Sequence, residues 1–122
     1  MKKVILKIIA TIFTILGMFI IWFIYVTEFK VTYVSQHVNP INNYTILFQE
    51  VGEPEWPFGK THVKITLLND KKKKVEKIPT YIQNDGSVAG EENILVEWFE
   101  DYAEVTLLGS EQEDEVHKIY YN

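Results

Sequence analysis

Hydrophobic and polar positions divide the chain in two. From Ile8 to Val26 the residues read IIATIFTILGMFIIWFIYV, uncharged throughout and with no polar stripe at helical spacing. A surface helix would show such a stripe, so an all-round apolar run predicts a helix in contact with lipid. At about 1.5 Å of rise per residue, nineteen residues reach roughly 28 Å, close to the ~30 Å hydrocarbon core of a bilayer. A cleaved signal peptide has an apolar stretch of only about 7–15 residues and a small-residue cleavage site. This run is longer and ends in Trp22, Phe23, Tyr25 and Val26 with no Ala-x-Ala pattern, which predicts an uncleaved anchor over residues 8–26 behind a stub at 1–7. Gly17 lacks a second glycine at GxxxG spacing and reads as a lone glycine in a monomeric anchor.

Beyond the span, alternation takes over. Residues 27–43, TEFKVTYVSQHVNPINN, read as a tether in which Val31, Tyr33 and Val34 can add a short first strand, closed by turns at Asn39-Pro40 and Asn42-Asn43. Then come short β-branched and aromatic runs between turn signals: Tyr44–Val51, Thr61–Leu68, Val75–Gln83, Asn93–Phe99, Ala103–Leu107 and Val116–Tyr121. Pro79 lacks a ladder N–H, so its strand belongs at an edge or a bulge. Strands this closely spaced, without intervening helices, predict an all-β domain over residues 44–122. The expected form is an antiparallel β-sandwich or small barrel of about six strands, preceded by one transmembrane helix. Its expected core is Ile46, Phe48, Val63, Ile65, Leu67, Val96, Trp98, Val105 and Leu107.

Charge adds orientation and excludes several classes. Lys2, Lys3 and Lys7 precede the apolar run, whereas only Lys30, beside Glu28, follows it closely, so the positive-inside rule places the N-terminus in the cytoplasm and residues 27–122 outside. Of 12 basic residues only nine remain after the span, against 17 acids, which excludes a nucleic-acid partner that needs positive charge to displace counterions. With no cysteine there is no disulfide framework, thiol nucleophile or thiolate zinc site. Ser35, Ser87 and Ser110 lie outside any Gly-x-Ser-x-Gly elbow, and His37, His62 and His117 match no local metal-ligand spacing. No glycine-rich phosphate loop is present, and the expectation is that the chain is not an enzyme.

Three features carry candidate chemistry. In Gly52-Glu-Pro-Glu-Trp-Pro-Phe-Gly59 two prolines stiffen the backbone, so that Glu55, Trp56 and Phe58 can present a ligand-binding surface to a peptide or a sugar face. The plainer reading folds Trp56 and Phe58 back to plug the open end of the sandwich. Asp85, Glu111, Glu113 and Asp114, with Glu91 and Glu92, can gather around calcium, which takes six to eight oxygens. Against that, the chain has no Asp-x-Asp-x-Asp-Gly loop, and a solvated acidic loop serves solubility equally well. Lys71, Lys72, Lys73 and Lys74 make a cationic tip suited to anionic wall polymer or lipid headgroups, or simply to guarding a hairpin end from edge pairing.

At Trp56-Pro57-Phe58-Gly59, Asn84-Asp85-Gly86, Val96-Glu97-Trp98 and Val105 through Asp114, the outer part resembles small, uncharacterised envelope-anchored proteins of Gram-positive bacteria. The resemblance spans about residues 44–121. It implies an outward-facing β domain and no particular ligand. The absence of arginine beside 15 isoleucines and 12 lysines fits an AT-rich genome. The expected function is therefore a non-enzymatic binding module at the cell envelope, whose partners are the lipid bilayer through residues 8–26 and an envelope protein or wall polymer. A calcium- or other metal-dependent sensor or hydrolase, and an immunity or exclusion protein, are the alternatives.

Overall fold

The computed structural model describes residues 1–121. Helix α1 runs over Lys2–Ile24 and continues without a break into a wider π turn, Tyr25–Phe29. Its two threonine hydroxyls donate back to the carbonyls of Lys7 and Ala10, both at 2.8 Å, so an apolar surround strands no polar side chain. No residue of α1 is buried. A helix this apolar with every face exposed has no core role in the domain, which excludes a buried soluble helix and leaves a membrane anchor or a signal sequence.

Among the described residues seven strands follow, one more than the six firm runs in the sequence. They are β1 (Val31–Val38), β2 (Thr45–Val51), β3 (Thr61–Leu68), β4 (Lys74–Ile82), β5 (Ile94–Trp98), β6 (Tyr102–Leu107) and β7 (Glu115–Tyr120). They form two antiparallel sheets, β1-β2-β3-β4 and β5-β6-β7. The added strand is β1, which lengthens to eight residues the short first strand that Val31, Tyr33 and Val34 could add within the tether. It pairs with β2 along its whole length, from Val31 opposite Val51 to Val38 opposite Thr45, with a bulge between Tyr33 and Ser35. Pro79 lies on β4, at the edge of its sheet, where the missing N–H breaks no interior ladder.

The two sheets share one core of Ile46, Phe48, Val63, Ile65, Leu67 and Ile82 from the first sheet and Ile94, Ala103, Val105, Leu107 and Ile119 from the second. Val96 and Trp98 pack against it only partly buried, since β5 is an edge strand and leaves them half-covered. Ile65 lies opposite Phe48 on one side and Ile78 on the other, so apolar rungs cross the sheet and register is specified.

Because α1 leads into β1, every turn after an odd-numbered strand lies at the far end of the sandwich, and every connection after β2, β4 and β6 returns to the helix end. The far end is closed by Tyr121, whose ring lies 5.0 Å from that of Tyr44 and 6.5 Å from that of Trp98. Its hydroxyl is 2.7 Å from the Phe99 carbonyl and 3.0 Å from that of Tyr102. The helix end is closed by polar groups. Asn93 donates to the Leu108 carbonyl at 2.7 Å and to Asn84 at 3.2 Å and accepts from the Gly90 N–H, while Thr61 donates to the Ser87 carbonyl at 2.6 Å.

Candidate binding site at the helix end of the sandwich

The π turn leaves helix carbonyls without intrahelical donors, as every helix end does. The corner after β2 supplies the donors: the Gly52 N–H donates to Lys30 at 2.7 Å and the Glu53 N–H to Thr27 at 2.8 Å. Gly52 adopts φ +72°, and a Cβ there would stand 2.3 Å from the Thr27 carbonyl oxygen, so only glycine permits the approach. The loop then closes on itself. Glu55 N–H donates to the Lys60 carbonyl at 3.0 Å and Gly59 N–H to the Glu55 carbonyl at 2.8 Å, while His62 Nε2 lies 2.9 Å from Glu55 Oε2. From the other side the Asn84-Asp85-Gly86 turn braces it. Asp85 and Gly86 both have positive φ, and the Gly86 N–H donates to the Gly59 carbonyl at 2.9 Å.

Held at both ends, the loop points its aromatic side chains outward. Trp56 is 91% exposed and Phe58 72%. The plug expected of them is therefore not formed, and the physical reason is plain: the ends of the core are already sealed by Tyr121 and by the Asn84–Asn93 network. Trp56 instead borders a cleft of about 400 Å3 with Phe23, Thr27, Glu53, Glu55 and His62. The helix thus contributes to the site, a contribution hidden in sequence because it requires the chain between Thr27 and Gly52 to form one complete hairpin.

The acids lie at this same end but do not converge. Glu111 N–H donates to the Gln83 carbonyl at 3.0 Å, and Gln112 accepts the Gln83 N–H, which ties the loop after β6 to the end of β4. That arrangement turns Gln112 inward and leaves Glu111, Glu113 and Asp114 exposed, as Asp85, Glu91 and Glu92 also are. Among the described residues no three His, Asp or Glu side chains are grouped to hold a metal. Asp85, Glu111, Glu113 and Asp114, the candidate calcium ligands, are thus not brought together, because backbone bonds anchor these loops separately. His37, His62 and His117 sit on β1, β3 and β7 and form no shared centre.

Lys71, Lys72, Lys73 and Lys74 cap the opposite end. Asn69 Oδ1 accepts the N–H groups of Lys71 at 2.9 Å and Lys73 at 3.0 Å, and Lys72, at φ 63°, donates Nζ to the Thr45 hydroxyl at 2.8 Å. The positive field extends down the sheet, where partial burial and then Lys77 and Lys74 hold the Lys64 ammonium below its usual pKa. Eight residues of strand at about 3.3 Å each put this tip some 25 Å from the helix end. A second cleft, of about 350 Å3, lies at this far end between Asn39, Ile41, Asn42, Trp98, Phe99 and Glu100, and no motif in the sequence marks it.

The helix-end site offers flat apolar area, carboxylates and an imidazole, a set that recognises a surface by contact and hydrogen bonding. Comparisons with protein-family models, with curated proteins and with solved structures find no match for this chain.

Proposed function

We propose that the protein is a single-pass membrane protein with a cytoplasmic N-terminus and an outward β domain that serves as a non-enzymatic interaction module at the cell envelope. The observation that carries this reading is the pairing of a wholly exposed apolar helix with a rigid loop that holds Trp56 and Phe58 in the open. Large exposed aromatics on a pinned backbone suit recognition, since little conformational freedom is lost when they are covered. Lys2, Lys3 and Lys7 before the span, against Lys30 alone close behind it, support the orientation. The resemblance to small envelope-anchored proteins of Gram-positive bacteria points to the same location.

The test uses the absence of cysteine. Lys73→Cys in intact cells should react with a membrane-impermeant maleimide, and the labelled product should be full length and fractionate with membranes. Reaction only after lysis would reverse the topology and end the envelope reading. A shorter labelled product in the medium would show that the helix is removed as a signal sequence.

A further inference from the structure

The cleft beside Trp56 is bordered by Phe23, a residue of the apolar run itself. That shared cleft sets a depth. If the hydrocarbon core begins just after Lys7, about 20 residues at 1.5 Å each bring its outer boundary to Thr27 and leave Phe23 roughly 6 Å inside. If Lys7 extends its stem to the headgroups so that the core begins at Val4, the outer boundary falls at Phe23. In both registers the helix residue that lines the cleft with Trp56 is at or within the outer edge of the bilayer. Bonds from Gly52 and Glu53 to Lys30 and Thr27 fix the loop to the helix, so it cannot swing away without breaking them.

We infer that the Gly52–Gly59 loop is a second membrane contact, with Trp56 and Phe58 lying in the interfacial layer of the outer leaflet and holding the β domain at a set angle to the bilayer. This rests on the anchored topology proposed above and names the lipid interface as the partner of the exposed aromatics. Trp favours that layer because its ring is apolar and its N–H remains hydrated, and Phe29 is likewise exposed at the end of the π turn. Val88, exposed in the connection that braces the loop, lies at the same end. The neighbouring charges select the lipid. Glu28, Glu53 and Glu55 flank the aromatics, Asp85, Glu91 and Glu92 are exposed at the same end, and Lys30 and Lys60 are the nearby cations in sequence. The contact is therefore apolar and interfacial, best made with zwitterionic headgroups and weakened by anionic ones.

Single nitroxide labels on the full-length protein in phosphatidylcholine vesicles test this. Phe58→Cys, Tyr25→Cys, Ile15→Cys and Lys73→Cys are compared for collision with oxygen, which concentrates in lipid, and with a water-soluble nickel chelate. Phe58 should match Tyr25, losing most of the nickel collisions that Lys73 retains, and part of those collisions should return when Trp56→Ala is added or when phosphatidylglycerol replaces half the lipid. A Phe58 label as wet as Lys73 while Ile15 is lipid-buried would overturn the loop contact and leave the anchor intact. An Ile15 label open to nickel would overturn the anchor itself. A Phe58 label shielded from both oxygen and nickel would mean a protein partner, in this purified system a second copy of the chain, and would also overturn the proposal.

Discussion

Glu50 faces the core from β2 with only 6% of its surface exposed, its Oε1 accepting the Ala89 N–H at 3.1 Å. Burial raises its pKa above 4.5, the Ala89 bond opposes that shift, and the nearby Glu53 adds to it. A carboxyl with a raised folded-state pKa binds its proton more tightly when folded, so stability falls as pH rises from the unfolded pKa through the folded one. Glu50→Gln keeps the acceptor for Ala89 and removes the ionisation. It should raise stability at neutral pH and flatten the loss between acidic and neutral pH, read by denaturant midpoints across that range; a variant with the wild-type slope would assign that slope to another group. Core truncation has a different signature. Phe48→Ala, at a fully buried position, should cost about 3–5 kcal/mol by loss of buried area and a residual cavity, at every pH. Phe48 was legible as core because it sits in the apolar run Ile46-Leu47-Phe48 of a β-branched and aromatic stretch, whereas Glu50 is a charged residue at an inward position and Asn84 and Asn93 look like ordinary turn residues. Their burial follows from loops packing over the end of the sandwich, a long-range event that local periodicity does not encode.

Elements were legible wherever alternation was unbroken. Thr61–Leu68 is a strand with the bounds its pattern predicts, and the other firm runs agree to within one or two residues. β1 was obscured by the bulge between Tyr33 and Ser35, which shifts the side-chain period by one position midway and makes a paired strand look irregular. Gly52 couples that element to the helix, and its replacement tests the coupling. Gly52→Ala brings a Cβ to 2.3 Å from the Thr27 carbonyl oxygen at a φ of +72°, so the corner must open, at a cost of roughly 1–2 kcal/mol from the backbone conformation alone. Hydrogen exchange should show the Glu53 amide losing protection while amides of β3 keep theirs. Equal protection at Glu53 in both proteins would mean that its bond to Thr27 does not hold the corner.

At the scale of the molecule the decisive quantity is the parity of the strands. With a tether and six strands, the Trp56 loop would stand at the end opposite the helix; adding β1 reverses every connection and brings the aromatic loop and the acidic loops to the helix while sending the lysine turn outward. The acidic loops therefore lie beside the helix, and the four lysines, next to Asp70, lie about 25 Å away, a separation well beyond the ~8 Å screening length at physiological salt. In the anchored topology proposed above, Lys71, Lys72, Lys73 and Lys74 stand beyond the screening length from the headgroups around their own helix, which favours a soluble or wall-bound polyanion over that lipid as their partner. Replacing all four by Gln should leave the lipid protection of a Phe58 label unchanged. If a polyanion is their partner, full-length protein in vesicles should bind soluble polyphosphate in a manner that weakens steeply with salt, and the quadruple variant should lose that binding. Equal polyphosphate binding by both proteins would confine the four lysines to shielding the β3–β4 turn from edge pairing, a role that needs charge but no ligand.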